Sequence, residues 1–210
     1  DAAHAFGVTH KGESVFNFGD ISTVSFHATK LFHSIEGGAL IIKDDSLYEQ
    51  AKCMINFGMS GQEIKCVGTN FKMNEFQAAM GLAVLDDIDK ILEERKAIWM
   101  RYFQSFDGIF KLQSITEDSK HNYHYFPVIF ESERDLVCVQ EAMNKEDIYP
   151  RRYFYPSLNT LDYLSSDAVC KVSEKIASRI LCFPIYPGLT FNEQSLIIDI
   201  VDNVVKRMNS

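Results

Sequence analysis

Lys30 is the residue of this sequence with the most informative chemistry, because a lysine amine is a nucleophile once it loses its proton. It follows the segment 25–29 at the predicted end of a strand. Partial burial at such a position lowers the pKa of a lysine and leaves some of the amine neutral. A lysine after a strand is most often a solvated surface residue, so Lys30 alone identifies no reaction.

Three polar residues accompany Lys30 at predicted strand ends. Asp1 can keep a ring nitrogen protonated, His4 can contact a hydroxyl group, and Ser25 can donate to a phosphate. Each type also has a structural role there, as a turn or cap aspartate, a buried histidine with partners, or a hydroxyl bonded to the backbone. Only their combined order favours a site.

The composition narrows the class of protein. The chain has 210 residues, 46% of them hydrophobic, and a net charge of −8, which disfavours general binding to nucleic acid or to a membrane surface. No apolar run approaches the roughly 20 residues that span a bilayer. The five cysteines form no C-x-x-C pair. We therefore predict a reduced, cytoplasmic protein without a metal site.

Hydrophobic patterning predicts alternating strands and helices. In the first half it indicates short β-segments over 15–18 and 23–26, a buried strand 39–42, a helix from Leu47, a loop 58–68 and one long helix 76–103. In the second half it indicates a strand 123–130 near a sheet edge, because Pro127 lacks an N–H. Helices 136–143, 168–181 and 196–208 complete the pattern.

Five ordered segments carry a resemblance to a known family. They are Asp1 to Ala5, Ser25-Phe26 with Lys30, Glu36 to Ala39, Gly68 to Gly81, and Phe183 to Thr190. Together they resemble the DegT/DnrJ/EryC1/StrS sugar aminotransferases, which are fold-type-I enzymes that use pyridoxal phosphate. The resemblance extends over nearly the whole chain.

The resemblance implies an α/β fold, the C-terminal part of a fold-type-I transferase. Residues 1–105 would form part of the cofactor-binding large domain with a long linking helix, and residues 106–210 a small α+β domain. The family's N-terminal half, which supplies a phosphate-binding loop and a stacking aromatic ring, has no counterpart here. We expect a piece of a longer protein, whose residues alone bind the cofactor weakly or not at all.

The resemblance also assigns roles. Lys30 would hold pyridoxal phosphate as an internal aldimine, Asp1 would pair with the pyridine nitrogen, and His4, where many relatives have Gln, would lie near the ring hydroxyl. Ser25 would bind the cofactor phosphate. Asn70 would reach the phosphate in the partner subunit's site, because these enzymes form homodimers with shared active sites.

The implied reaction is a ping-pong transamination, with glutamate as the amino donor. The segments 25–30 and 35–38 are similar to members that aminate C4 of a 4-keto-6-deoxy sugar nucleotide, and 151–156 to the group that forms dTDP-4-amino-4,6-dideoxyglucose. Candidate substrate contacts are Arg151, Arg152, Tyr155 and Tyr186, with Lys72 and Arg179 as further cations. A solvated basic face explains the cations equally well.

Three alternatives stay open. Amination of a 3-keto sugar nucleotide is one, although that branch more often has a different sequence before and after its lysine. Relatives that dehydrate the sugar at C3 carry His in place of the lysine, and position 30 is Lys. A non-catalytic binding protein of the same fold, or an inactive fragment, is the third.

Overall fold

A computed structural model describes residues 1–164 and 168–208 of the chain. The chain divides into two compact units. Unit 1 comprises Asp1–Lys90 and Ile115–His124, and unit 2 comprises Ile91–Ser114 and Tyr125–Ser210. The segment 115–124 therefore belongs to unit 1, although unit 2 residues flank it in sequence.

The described residues form ten short strands and six α-helices. The strands are β1 (Thr9–His10), β2 (Glu13–Ser14), β3 (Ile21–Ser25), β4 (Gly38–Ile42), β5 (Met59–Ser60), β6 (Glu63–Ile64), β7 (Lys111–Leu112), β8 (Ser119–Lys120), β9 (Phe126–Ile129) and β10 (Ile180–Phe183). The helices are α1 (Asp45–Ile55), α2 (Glu75–Asp86), α3 (Ile88–Phe106), α4 (Glu133–Asn144), α5 (Lys171–Ala177) and α6 (Phe191–Met208).

Unit 1 is built on small antiparallel sheets. β3 pairs with β4 from Ile21↔Ile42 to Ser25↔Gly38, β1 lies between β2 and β8, and β5 pairs with β6. The predicted strand 39–42 is confirmed, but the prediction that it is buried was wrong, since Leu40 is 50% exposed. A two-stranded sheet offers no neighbour to cover a strand on both sides.

Two other predicted segments of unit 1 differ from the structure. Residues 15–17 form a 3-10 helix instead of a strand, because the Ser14 hydroxyl accepts the Phe16 N–H and caps a turn. The predicted single helix 76–103 is two helices, α2 and α3, which separate at Asp87. Consecutive aspartates at 86 and 87 are weak helix formers that compete for backbone hydrogen bonds.

Unit 2 has an aromatic core under the sheet β10-β9-β7. Tyr102 and Phe106 of α3 contact the rings of Phe126 in β9 and Phe183 in β10, and each of the four is at most 2% exposed. Helices α4 and α6 pack against each other. The core thus unites segments that are far apart in sequence.

Pro127 lies in the central strand β9, so the predicted edge position was wrong. Both backbone groups of Cys182, its partner in β10, bond to Arg151 instead of to Pro127. The nitrogen of Pro127 therefore faces the other side, where β7 pairs only with Val128 and Ile129. Because β7 pairs with no residue opposite Pro127, no carbonyl of β7 needs the N–H that Pro127 lacks.

The predicted helix 168–181 is shorter, with α5 ending at Ala177 and residues 180–183 forming β10. Pairing of this apolar run with β9 outweighs its helical pattern. The predicted boundary after residue 105 concerns the domains of the whole protein and stays a prediction. No helix among residues 1–164 and 168–208 is long and apolar enough to cross a membrane.

Candidate active site

Lys30 lies in a closed turn between β3 and β4. The Phe26 N–H donates to the Gly37 carbonyl at 2.8 Å, and the Ser34 N–H donates to the Phe26 carbonyl at 2.9 Å. Leu31 and Phe32, each 5% exposed, anchor the turn in the apolar part of unit 1. The burial of the two residues after Lys30 holds its side chain half-buried at the end of β3.

The glycines after Glu36 are required by close packing. A Cβ on Gly37 would lie 2.6 Å from the Ser34 hydroxyl and 2.8 Å from the Met73 methyl group, and the φ of Gly37 is +153°. A Cβ on Gly38 would lie 2.8 Å from the Val24 carbonyl. The chain can therefore return from the lysine turn into β4 only with glycine at these positions.

The amine of Lys30 contacts the imidazole of His4. The distance from Lys30 Nζ to His4 Nε2 is 2.6 Å. Burial lowers the pKa of Lys30, and burial together with the charge of Lys30 lowers the pKa of His4. Protonation of one nitrogen disfavours protonation of the other, so the pair favours a neutral base near the end of β3.

The segment that carries Asp1 and His4 lies along β3. The Ala2 N–H donates to the Thr23 carbonyl at 2.9 Å, so Asp1 is held near the end of the strand that leads to Ser25. Asp1 is exposed, and its Oδ1 accepts the Ala3 N–H at 2.9 Å. The half-buried Ser25 hydroxyl accepts the His27 N–H at 3.3 Å. Asp1, His4, Ser25 and Lys30 therefore belong to one part of unit 1.

The segment 115–124 supplies two residues that the sequence analysis missed. The Asn122 amide nitrogen donates to the His4 carbonyl at 2.9 Å and to the Phe6 carbonyl at 3.0 Å. The ring of His124 lies 5.5 Å from the ring of His4, and both Asn122 and His124 are 4% exposed. No local signal marked them: Asn122 precedes the predicted strand 123–130, and His124 falls within that prediction although the strand begins at Phe126 in the structure.

Asn70 lies beside the end of α1, where it meets Asn56. It is exposed, forms an isolated bridge with Asn56, and accepts the Lys72 N–H at 3.4 Å. The amine of Lys72 lies 3.9 Å from the centre of the Phe57 ring. This arrangement leaves the Asn70 amide nitrogen on the surface of the chain, where a second molecule can reach it.

The candidate substrate residues of unit 2 differ in how firmly they are held. Arg152 donates to Glu133 Oε1 at 2.6 Å and to the Ser178 carbonyl at 3.0 Å, and its guanidinium lies 3.7 Å from the centre of the Tyr155 ring. These contacts give Arg152 and Tyr155 a packing role whatever they bind. Arg152 is thus fixed by contacts within unit 2, whereas its neighbour Arg151 is exposed.

Arg151 is the more accessible arginine. It is exposed, and its guanidinium donates to the Tyr153 hydroxyl. Arg179, in contrast, donates to two main-chain carbonyls, at 3.0 and 3.1 Å. Tyr186 is 47% exposed, and its pKa is raised by burial and by the charge of Glu193. Of these three arginines, Arg151 therefore has the most freedom to meet an anion.

Comparison with known proteins now identifies the class. The model of the DegT/DnrJ/EryC1/StrS aminotransferase family matches residues 1–202, and the chain belongs to this family. The family depends on pyridoxal phosphate, and the α/β fold predicted from the sequence is confirmed.

Individual relatives agree with this assignment. The dTDP-4-amino-4,6-dideoxy-D-glucose transaminase of Shigella dysenteriae is 34% identical, over 97% of this chain and 58% of that protein. The GDP-perosamine synthase of Escherichia coli O157:H7 is 27% identical, over 94% of this chain and 55% of that protein. The chain thus spans little more than half the length of these relatives.

A solved structure agrees as well. The structure of DesI in the presence of its TDP-sugar product has a TM-score of 0.90 and is 28% identical, with 99% of this chain and 55% of that chain covered. The donor groups of unit 1 fit the cofactor of the family. An amine beside a neutral imidazole, a carboxylate and a hydroxyl at one strand end match an aldehyde, a pyridine nitrogen and a phosphate.

Proposed function

We propose that the protein containing this chain is a pyridoxal-phosphate-dependent aminotransferase. Its substrate would be a nucleotide-linked 4-keto-6-deoxy sugar, with glutamate as the amino donor. The contact of 2.6 Å between Lys30 Nζ and His4 Nε2 carries the proposal, because it pairs an amine whose pKa is lowered by burial with an imidazole that can exchange a proton with it. Bound pyridoxal phosphate would supply an electron sink that stabilises negative charge on the carbon losing its proton.

Lys30 would have two roles in this chemistry. As a neutral amine it would hold the cofactor covalently, and when displaced by the amino donor it would move a proton between two carbon atoms. Both roles need an amine without its proton, and partial burial lowers the pKa of Lys30 in that direction. His4 would accept or return a proton at the Lys30 nitrogen and orient it through the 2.6 Å contact.

Asp1 and Ser25 would fix the cofactor at its two ends. A carboxylate from Asp1 would keep the pyridine nitrogen protonated, and the Ser25 hydroxyl would donate to the phosphate. The bond from the Ala2 N–H to the Thr23 carbonyl, 2.9 Å, sets the spacing between these two residues. The exposed Asn70 would complete the phosphate site of the partner subunit in a homodimer.

The preference for a C4 ketone is supported by the relatives and by the sequence near Lys30. The dTDP-linked sugar is our first choice, because the Shigella dTDP-sugar transaminase is more similar to this chain than the GDP-perosamine synthase is, 34% against 27% identical. The exposed guanidinium of Arg151 would be a contact for the diphosphate. Arg152, Tyr155 and Tyr186 would shape the same surface.

The direct test of the cofactor assignment is absorbance. We expect the purified full-length protein that contains this chain to bind pyridoxal phosphate with a band at about 410–430 nm, typical of a lysine-bound cofactor, and Lys30→Ala to lose it. Lys43→Ala is the matched control, since Lys43 is an exposed lysine of the same unit. Persistence of the band in Lys30→Ala would disprove the lysine assignment.

The substrate is tested separately. Incubation of the protein with dTDP-4-keto-6-deoxyglucose and glutamate should yield a 4-amino sugar nucleotide and 2-oxoglutarate, measured by mass spectrometry. Amination of a 3-keto isomer alone would overturn the assignment of position. Amination of only a GDP- or UDP-linked ketone would overturn the nucleotide, and cofactor binding without any amination would indicate a binding protein.

A further inference from the structure

Two cysteines of unit 1 lie in contact although 13 positions separate them. Cys53 is in the last turns of α1, and Cys66 follows β6. Their Sγ atoms are 3.5 Å apart, and both side chains are half-buried. This contact has no part in the chemistry proposed for Lys30, so it needs its own explanation.

Gly58 holds the backbone segments that carry the two thiols close together. Its N–H donates to the Cys53 carbonyl at 2.9 Å, and its carbonyl accepts the Cys66 N–H at 3.3 Å and the Lys65 N–H at 2.8 Å. The φ of Gly58 is +74°, and a Cβ there would lie 1.9 Å from the Cys66 carbonyl oxygen. Only glycine permits this approach, so one residue holds the backbones of both cysteines together.

A second set of hydrogen bonds closes the base of the same loop. The Thr69 N–H donates to the Met54 carbonyl at 2.9 Å, and the Phe57 N–H donates to the Thr69 carbonyl at 3.1 Å. The chain after Cys66 is therefore bonded at Thr69 to residues on both sides of the end of α1, Met54 and Phe57. Main-chain contacts, rather than flexible side chains, keep the two sulfur atoms close.

We propose that Cys53 and Cys66 are a thiol–disulfide exchange site that takes a small-molecule disulfide, such as glutathione disulfide, and closes to an intramolecular bond. A disulfide has an S–S length of about 2.05 Å, so rotation of the two side chains within the closed loop must bring the sulfurs together. Disulfides in reducing compartments are usually transient and redox-sensing, which fits a reversible site.

The exchange balances in two steps. The thiolate of one cysteine attacks a sulfur of glutathione disulfide, which forms a mixed disulfide and releases one glutathione thiolate. The second cysteine then attacks the protein sulfur of the mixed disulfide and releases the second glutathione. Two protein thiols are oxidised by two electrons, glutathione disulfide is reduced to two thiols, and the protons of the cysteines end on glutathione.

The environment of the pair favours Cys66 as the first nucleophile. Burial and the hydrogen bond to Cys66 raise the pKa of Cys53, so Cys53 retains its proton while Cys66 reacts. Exposed residues flank Cys66, with Val67 at 92% exposure, so a small disulfide can approach this side of the loop. Cys53, 3.5 Å away, is then placed to attack the mixed disulfide.

The bond would have a consequence for the loop that ends at Asn70. Closing a loop of this length by a disulfide restricts the unfolded chain and should raise the Tm of unit 1 by about 12–24 °C. An effect on aminotransferase activity through Asn70 would rest on the proposed function. The formation of the bond does not, so the two ideas can fail independently.

The test uses reaction with glutathione disulfide and peptide mass spectrometry. Cleavage after Lys52, Lys65 and Lys72 separates the peptides 53–65 and 66–72, which stay joined only through the disulfide. We expect this joined pair in the wild type and in Cys138→Ser, a control that removes an exposed cysteine. Reduction with dithiothreitol should separate the peptides again.

The single variants identify the order of attack and the outcomes that contradict the site. Cys53→Ser should accumulate glutathione on Cys66, whereas Cys66→Ser should react at least about tenfold more slowly at Cys53. Glutathione retained on Cys66 in the wild type would overturn the proposal. So would a disulfide between subunits, or reaction at Cys138 and Cys170 with none at the pair.

Discussion

The two compact units have similar lengths but are held together by different forces. In unit 2, Tyr102, Phe106, Phe126 and Phe183 form a closed aromatic cluster, and each is at most 2% exposed. In unit 1, by contrast, the apolar side chains below a tenth exposure in the described part of the chain are Val24, Leu31 and Phe32. Unit 2 therefore depends on apolar packing, and unit 1 on main-chain and polar hydrogen bonds.

The geometry around Lys30 follows from this dependence of unit 1 on hydrogen bonds. The contact between Lys30 and His4 is set by a glycine turn, by the bond between the Ala2 N–H and the Thr23 carbonyl, and by Asn122. These three are polar or main-chain contacts, and the buried Leu31 and Phe32 add an apolar anchor to the same turn. Substitutions that remove packing should act mainly on unit 2, and substitutions that remove polar groups should act mainly on the geometry around Lys30.

The largest effect should come from the aromatic core. Phe106→Ala removes a fully buried ring that contacts Tyr102, Phe110, Phe126 and Phe183, and should lower the free energy of unfolding by about 3–5 kcal/mol. Phe76→Ala in unit 1, where the ring is 85% exposed, should cost less than about 0.5 kcal/mol. Chemical denaturation of both variants measures the difference, and equal losses would refute the comparison.

A smaller effect, confined to unit 1, is expected for Asn122→Ala. The buried amide donates to the carbonyls of His4 and Phe6, and its loss should cost about 1–3 kcal/mol. Hydrogen exchange should accelerate at the amides of Ala5 and Val8, while unit 2 keeps its protection. Asn17→Ala, at an exposed position, is the control that should leave exchange unchanged.

Local sequence signals predicted a large part of the fold. A helix beginning near Leu47 is confirmed, because Asp44 accepts the Leu47 N–H and caps α1. A helix in the region 136–143 is confirmed as α4, and the strand before Lys30 as β3. Each of these depends on neighbours along the chain, which a sequence displays directly.

The features that the sequence did not reveal depend on distant partners. Pro127 indicated a sheet edge, yet the short β7 gives it a place in a central strand. Ile180 and Leu181 continue a helical pattern, yet pairing with β9 makes them a strand. Asn122 is 118 positions from His4, and no local pattern discloses that contact. The assigned roles of Lys30 and its neighbours stay predictions.

The two units should respond alike where the interaction is local. Asn74 caps α2 by accepting the Gln77 N–H, while its own N–H donates to the Gln77 side chain, and Ser132 caps α4 by accepting the Asp135 N–H. Asn74→Ala and Ser132→Ala should each cost about 1 kcal/mol, measured by denaturation. If Ser132→Ala lowers the free energy of unfolding several times more than Asn74→Ala does, the loss of a cap in unit 2 also disturbs its aromatic core. The two units would then differ at their helix ends as well as in their cores.

The smallest expected effect is a pH dependence located in unit 1. Because the pKa of His4 lies below its usual 6.5 in the folded chain, the unfolded chain binds more protons as the pH falls through this range. Folding is therefore opposed increasingly from about pH 6.5 down to the folded pKa, and the Tm should fall over that window. His4→Gln retains a polar side chain without the titration and should lose that part of the fall.

Two groups that face His4 are Lys30, whose Nζ lies 2.6 Å from His4 Nε2, and His124, whose ring lies 5.5 Å from the His4 ring. The pKa of Lys30 is also lowered in the folded chain, so its protonation likewise opposes folding as the pH falls. That loss of stability begins near the usual pKa of 10.5 and is complete below the folded pKa of Lys30. Thermal unfolding of wild type, His4→Gln and His10→Gln between about pH 7.5 and about pH 5 separates His4 from histidines elsewhere in unit 1. If the Tm of wild type and of His4→Gln falls identically with pH, protonation of His4 does not destabilise the folded chain. The polar contact between His4 and Lys30 would then make unit 1 no more sensitive to acid than unit 2.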